Sequence, residues 1–402
     1  MTLDSNISAL AVRVAEELNG KASLAPQRSL TLPHTNGGLG GTVTASLASA
    51  TAGSARFVVK LPSTVTRWRF KIRHLDINQT AKTAGTLKKL VVGKHDRATT
   101  GAALETGSFV GGAATTIVAT DQTIPGDGTW YTSPWVSAAG DVFEKDTEFL
   151  VAFGYTFAAS TVVQTGAGRA WHWTNSTSAT DPTVSGAGAT SRFIPFDWIV
   201  EYDVTTRNKV TLVIGDSISE TTTGSNSAIE PTSLWMGPFP LWAARTGRQI
   251  VNLSLAGIAL EHFTLAGAIG DYLWDRQGNL ATMGIDEVII SAGSNDITTG
   301  RTLAQIQGYI DSIRTRLATY GITAPIYMAT ILARGTTGNT VRLSYNEWIS
   351  ARPTFCTDVI DFDGATRGIT ATSLVDQYTP DNIHPSRLGC VAMADKLCDV
   401  LP

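Results

Sequence analysis

Residues 209–219 read KVTLVIGDSIS. Val210 to Ile214 is a continuous apolar, β-type run, without the alternation of a half-buried strand and too short for a helix. Such a run reads as a strand buried on both faces, the kind that lies in a parallel sheet between helices. It stops abruptly at Gly215-Asp216-Ser217. Gly215 is read as permitting the sharp exit. Asp216 is read as a carboxylate bonding backbone N–H groups of the following turn. Ser217 thus stands just past a buried strand, either as a displayed nucleophile or as a polar residue in a strand-to-helix turn. Only the rest of the chain can separate the two.

Downstream, strands and helices alternate. Leu234 to Arg245 reads as helix, Gln249 to Leu255 as a second strand and Glu287 to Ser291 as a third. In the next segment Leu303, Ile306, Ile310, Ile313, Leu317 and Tyr320 step by 3, 4, 3, 4 and 3 residues. That spacing predicts an amphipathic helix with Thr302 as N-cap and Gly321 as stop. Ile326 to Leu332 is the fourth strand, followed by a helix around Tyr345 to Ala351. Asp358 to Phe362 is the fifth strand, and a last helix covers about Leu388 to Leu401. Residues 207–402 are therefore expected to form an α/β three-layer sandwich around a five-stranded parallel sheet. Ligands of such sheets sit outside the carboxyl ends of the strands, so functional residues should come just after strands.

Upstream the pattern changes. Residues 25–206 carry short β-type runs such as Ala55 to Leu61, Trp68 to Ile77 and Glu148 to Phe153. Clusters of small turn-forming residues separate them, including Thr35 to Thr42 and Thr183 to Thr190. Many short strands with turn signals predict a β-sandwich domain, jelly-roll-like. It holds Trp130, Tyr131 and Trp135, and also Trp171-His172-Trp173. In a strand Trp171 and Trp173 share a face, as sandwich core or as a sugar-stacking platform. Residues 1–24 read as a short helix, with Leu3, Ile7, Leu10 and Val14 on one stripe and Asn19-Gly20 as stop. About four turns are marginal alone. The stripe is expected to dock on its own domain, to form a multi-chain bundle, or to attach to a larger assembly.

The 402 residues suit more than one domain. The chain is 43% hydrophobic and 16% charged, with Gly, Ala, Thr and Ser abundant, a tilt toward β-rich extracellular or virion proteins. A net charge of −3 gives no electrostatic case for nucleic acid or an anionic membrane. No apolar run is long enough to span a bilayer. Acidic residues in MTLDSNISALAVRVAEELNG oppose a signal peptide, so an extracellular site of action implies another route, such as packaging in a phage particle. Cys356, Cys390 and Cys398 are read as free thiols, with no metal or other cofactor expected.

Four places follow strands: Ser217; Asn252 to Gly257; Gly293 to Asp296; and Asp381 to Pro385. A serine hydroxyl needs a base to take its proton, and an imidazole suits that task. Of six histidines, only His384 follows a strand of this sheet with a carboxylate, Asp381, three residues before it. Attack on an ester also needs donors for the oxyanion, for which the Ser217 N–H, the Gly257 N–H and the Asn295 amide are candidates. Trp235, Phe239, Trp242 and Phe263 are read as core in preference to an acyl or sugar pocket.

In this order, the four blocks resemble the SGNH (GDSL-type) hydrolases, a family of serine esterases and lipases. The family letters fall on Ser217, Gly257, Asn295 and His384, and the family aspartate on Asp381. The resemblance covers residues 207–402; it departs at Ser254, where the family often has glycine, and at Ile218 in the third GDSL position. It implies a flavodoxin-like sheet and a serine esterase with Ser217 as nucleophile, His384 as base and Asp381 as orienter. It implies an oxyanion hole of Ser217, Gly257 and Asn295. Two-domain relatives with a β-sandwich often remove O-acetyl groups from carbohydrates, so the expected substrate is an acylated carbohydrate, such as a bacterial surface polysaccharide. The chain start resembles those of phage tail proteins, which implies a virion-borne homo-oligomer, with a trimer expected, or attachment to a tail through residues 1–24. Rival expectations are a non-catalytic structural or receptor-binding tail protein, a lipase or thioesterase for longer acyl chains, and a cytoplasmic location.

Overall fold

The computed structural model describes residues 27–29, 51–60, 64–75, 83–96, 107–137, 144–145, 147–158, 170–173, 176–183, 189–191, 195–204, 207–220 and 237–402. The expected helix of residues 1–24, the cluster Thr35 to Thr42, Trp235, and the side chains of Trp171, His172 and Trp173 lie outside what is described.

The first part of the chain forms antiparallel strands: β1 (Gln27–Ser29), β2 (Ala52–Lys60), β3 (Val65–Arg73), β4 (Gly85–Asp96), β5 (Ser108–Phe109), β6 (Thr115–Val118), β7 (Gln122–Ile124), β8 (Tyr131–Thr132), β9 (Val136–Ser137), β10 (Glu148–Thr156), β11 (Ala170–Trp173), β12 (Ala189–Ser191) and β13 (Asp197–Val204). One sheet runs β1-β13-β3-β8, with β9 also on β3; the other runs β12-β11-β2-β10-β4-β5, with β6 and β7 also on β4. From Arg67 to Ile72 of β3 the side chains alternate. Trp68, Phe70 and Ile72 are fully buried, while Arg67, Arg69 and Lys71 lie on the opposite face. That period of two turns one face of each sheet toward the other. Phe57 from one sheet meets Trp198 from the other at a ring distance of 5.3 Å, and Phe153 meets Trp198 at 4.5 Å. The two sheets thus share one core, as a sandwich requires.

The second part holds β14 (Val210–Gly215), β15 (Gln249–Asn252), β16 (Glu287–Ser291), β17 (Ile326–Ala329) and β18 (Cys356–Ile360), all parallel and ordered β15-β14-β16-β17-β18. This is the flavodoxin-like order, with a switch point beside β14. All six residues of β14 are buried, as a strand between two helical layers must be. Val213, Ile289 and Ala329 pack with Phe239 and Trp242 of a helix at Pro238–Thr246 and with Met393 and Leu397 of the final helix, Arg387–Val400. Their neighbours Leu212, Ile214, Val288 and Ile290 point the other way, against helices Ala268–Asp275, Leu303–Thr319 and Asn339–Ser350. Phe239, Trp242 and Phe263 are core residues, as read.

The helix Leu303–Thr319 starts in a reciprocal capping box, the Thr302 side chain accepting from the Gln305 N–H and the Gln305 side chain from the Thr302 N–H. Its stripe of Ile306, Ile310, Ile313 and Leu317 is buried, each side chain contributing roughly 1.5–3 kcal/mol. It ends before Gly321, which takes a left-handed φ of 71°.

Several boundaries differ from expectation. The second strand ends at Asn252 because the Asn252 side chain turns the chain, accepting from the Ser254 N–H and donating to the Ser219 carbonyl. The fourth ends at Ala329 because the Asn346 amide, not a neighbouring strand, pairs with both backbone groups of Ile331. The fifth starts earlier, at Cys356, and the helix before it starts at Asn339. Gly215 keeps a negative φ within β14, so it does not serve a sharp turn. A Cβ there would lie 2.4 Å from Ser219 Oγ and 2.6 Å from Ser254 Oγ, and glycine is required by lack of space.

The two parts share polar contacts. Arg73, fully buried, bonds Asp197 at 3.0 Å within its own sheet and Asp275 at 2.7 Å in the α/β part. Tyr272 reaches Asp197, and Tyr202 donates to Gln249 at 3.1 Å.

Candidate active site

The turn after β14 places Ser217 at the carboxyl edge of the sheet, half-buried between buried Asp216 and Ile218. The Asp216 side chain accepts the Ile218 N–H at 3.0 Å, and the Glu220 N–H closes on the Asp216 carbonyl at 2.9 Å. Asp216 therefore shapes the turn, as its sequence position suggested. Burial pushes its carboxyl up to about 6, against the Ile218 N–H and the nearby His384 and Arg334.

The Ser217 Oγ lies 3.0 Å from His384 Nε2, and His384 Nδ1 lies 2.9 Å from Asp381 Oδ2. A carboxylate only accepts, so Nδ1 carries the proton and Nε2 presents its lone pair to the serine hydroxyl. The other oxygen of Asp381 accepts the backbone N–H groups of Ile383 at 2.9 Å and His384 at 2.8 Å. One carboxylate thus folds the loop and orients the ring. Burial alone would raise the Asp381 pKa, but the His384 ring and these two N–H groups outweigh it and hold the carboxyl below its ordinary value. Asn382 between them sits at a φ of 60°, a region where asparagine is tolerated better than branched side chains. Thr379 donates to the His384 carbonyl at 2.9 Å, and Ser386 caps the final helix, fixing the loop at its far end.

Gly257 lies in a tight turn closed by the Ile258 N–H on the Leu255 carbonyl at 3.1 Å. Its φ of 77° at the third position makes this a type II turn, for which glycine is favoured. The flanking groups are tied down: the Ala256 N–H to Glu220 at 2.5 Å, the Ser254 carbonyl to Arg276 at 2.5 Å, and the Ile258 carbonyl to Asn295 Nδ2 at 2.8 Å. Among the described residues, neither the exposed Gly257 N–H nor the Ser217 N–H has an acceptor. Asn295 sits in the first turn of the short helix Ser294–Thr298, whose N-cap is Gly293. Asp296 is fully buried and accepts the N–H groups of Leu260 and Glu261, so it holds the segment after Gly257. Burial raises its pKa against those two donors.

The structure thus joins Ser217, His384 and Asp381 in one relay and ties the Gly257 turn to Asn295 through Ile258. Glu220 and Arg276 were not singled out from sequence. The one available signal for Glu220 was a carboxylate three residues after Ser217 in a turn of small residues; Arg276 has none. Among the described residues no cluster of three or more His, Cys, Asp or Glu is placed to hold a metal ion. The arrangement suits acyl transfer: a nucleophile on a base, the base on an orienting carboxylate, and the N–H groups of Ser217 and Gly257 without an acceptor among the described residues.

Residues 213–391 match the GDSL-like Lipase/Acylhydrolase family, and this segment is a domain of that family of hydrolases. No curated protein matches the chain. Among solved structures, the chain is similar to a family two carbohydrate esterase from Clostridium thermocellum in complex with cellohexaose, at 12% identity over 87% of this chain and 90% of that one, with a TM-score of 0.38. It is also similar to a psychrotrophic esterase from Pseudoalteromonas sp., at 17% identity over 48% and 96% of the two chains, with a TM-score of 0.35. A member of the lipolytic protein G-D-S-L family from Veillonella parvula aligns at 17% identity over 48% and 98%, with a TM-score of 0.34.

Proposed function

We propose that residues 207–402 are the catalytic domain of a serine esterase working through an acyl-enzyme, with residues 25–206 as a preceding β-sandwich domain. The observation that carries the reading is the continuous relay from Ser217 Oγ to His384 at 3.0 Å and on to Asp381 at 2.9 Å. In the first step Ser217 Oγ attacks the ester carbonyl while His384 Nε2 takes the hydroxyl proton. Asp381 holds the resulting imidazolium. The oxyanion is received by the N–H groups of Ser217 and Gly257 and by the Asn295 amide hydrogen not used by Ile258. His384 then returns the proton to the leaving alcohol. Water, deprotonated by His384, releases the acid and restores Ser217.

The test is Ser217→Ala on a small chromogenic acetate. We expect a loss of at least about 10³-fold in kcat with an unchanged unfolding midpoint. Hydrolysis at the wild-type rate by folded Ser217→Ala protein sinks the assignment.

Within this reading the substrate is an O-acetylated carbohydrate of a bacterial surface, and the place of work is outside the cell on a phage particle held through residues 1–24. Support for the carbohydrate comes from the aromatic outer face of the first sheet. There Trp135 is partly exposed, with the guanidinium groups of Arg67 and Arg69 4.4 and 4.5 Å from its ring. Comparing acetate with octanoate esters separates this from a lipase or thioesterase, since an acetyl esterase rejects the longer chain. Acetate release from acetylated bacterial polysaccharide by wild type, and none by Ser217→Ala, tests the substrate directly.

A further inference from the structure

The Gly257 turn carries a feature that its own sequence does not secure. In a type II turn the central peptide can rotate, which here would swing the Gly257 N–H away from the face it now presents. Hydrogen bonds to the peptides leading into it resist that rotation, and two come from buried side chains outside the turn. Glu220, 2% exposed, accepts the Ala256 N–H at 2.5 Å. Arg276, 3% exposed, donates to the Ser254 carbonyl at 2.5 Å. Glu220 lies three residues after Ser217 on the same turn, closed onto Asp216 through its backbone N–H. Its side chain therefore locks the nucleophile's turn to the oxyanion turn, residues that are 36 apart in sequence where the bond forms.

We propose that Glu220 and Arg276 are a positioning pair that fixes the Gly257 N–H toward the oxyanion. The inference rests on the esterase reading above. Burial pushes the Glu220 carboxyl up to about 8, against Arg276 and the Ala256 N–H, so below that pH it is a neutral acid whose oxygen accepts the Ala256 N–H without opposing a developing oxyanion by like charge. The two act on neighbouring peptides of one segment: Glu220 accepts the Ala256 N–H, and Arg276 donates to the Ser254 carbonyl just before it.

The experiment compares Glu220→Ala, Glu220→Gln and Arg276→Lys in the full chain, with Ser217→Ala alongside. On a chromogenic acetate, Glu220→Ala is expected to lower kcat about 10²-fold with KM within about threefold, as when one oxyanion donor is lost. Its inhibition by a trifluoromethyl ketone, which forms the tetrahedral oxyanion, should weaken by a similar factor. Glu220→Gln keeps an acceptor for the Ala256 N–H and should recover most of kcat. Arg276→Lys keeps the charge but not the reach, and should lose kcat with KM held; it carries the test if Glu220→Ala unfolds below the assay temperature. Wild-type kcat in Glu220→Ala or Arg276→Lys, or no recovery in Glu220→Gln, overturns the proposal. An active Ser217→Ala protein instead overturns the esterase reading on which it rests.

Discussion

Asp381 shows how much one side chain can carry. Its two oxygens take three donors, two that build the Asp-Asn-Ile-His loop and one that sets the imidazole tautomer. Asp381→Asn keeps a carbonyl oxygen for the loop but places an amide where Nδ1–H must donate. We expect kcat to fall by about 10²- to 10⁴-fold while the unfolding midpoint barely moves, as read by steady-state kinetics beside calorimetry. Because folding lowers the Asp381 pKa, its contribution to stability is present above about pH 4 and is lost as pH falls through the folded value. Asp216 has the opposite sign. Its carboxyl titrates near 3.8 when unfolded and at about 6 when folded, so between those values the folded state holds more protons. Stability therefore declines as pH rises from about 4 to about 6, by up to roughly 3 kcal/mol. Asp216→Asn should unfold with a midpoint that lacks this decline, while its amide oxygen still accepts the Ile218 N–H. An unchanged decline counts against Asp216 as its source.

Among the elements, the helix Leu303–Thr319 was fully legible because everything that makes it is local: stripe, capping box and stopping glycine. The strand ends at Asn252 and Ala329 were not, because distant groups decide them: Val213 and Ser219 around the first, Asn346 at the second. Two substitutions separate elements that carry the site from one that does not. Thr302→Ala should cost about 1 kcal/mol in denaturant unfolding and leave kcat alone, since among the described residues the side chain of that cap bonds only Gln305 of its own helix. Gly215→Ala drives a Cβ into Ser219 and Ser254, so the exit of β14 must shift. A cost of about 1–3 kcal/mol is expected, with a fall in kcat at temperatures where the protein is folded. Equal effects of the two on kcat would detach the strand exit from the chemistry.

At the scale of the molecule, the buried contacts of Arg73 join the antiparallel sheets to the α/β part. Asp197, the sandwich-side partner, has its pKa raised by burial, with Arg73 and then Arg276 opposing. Arg276 also grips the Gly257 turn, so one guanidinium faces both the interface and the site. Arg73→Met strands Asp197, with an expected cost of about 3–5 kcal/mol. We expect wild-type unfolding to give coincident transitions by far-UV circular dichroism and by loss of esterase activity. In Arg73→Met, activity should fail first. Coincidence in both proteins would mean that the interface does not support the site.

The sequence by itself determined the alternation of buried strands and helices in residues 207–402, the antiparallel character before them, and the residue types waiting just past the strands. These follow from periodicity, turn chemistry and the rule that parallel sheets bind at their carboxyl ends, all of which act over a few residues. Tertiary structure alone decided that Ser217 and His384, 167 residues apart, meet at 3.0 Å, and that Gly215 answers to space and not to a turn. It also decided that Glu220 and Arg276 close on the Gly257 turn. Such contacts arise where separate elements dock, and no local pattern records which buried carboxylate will find which amide.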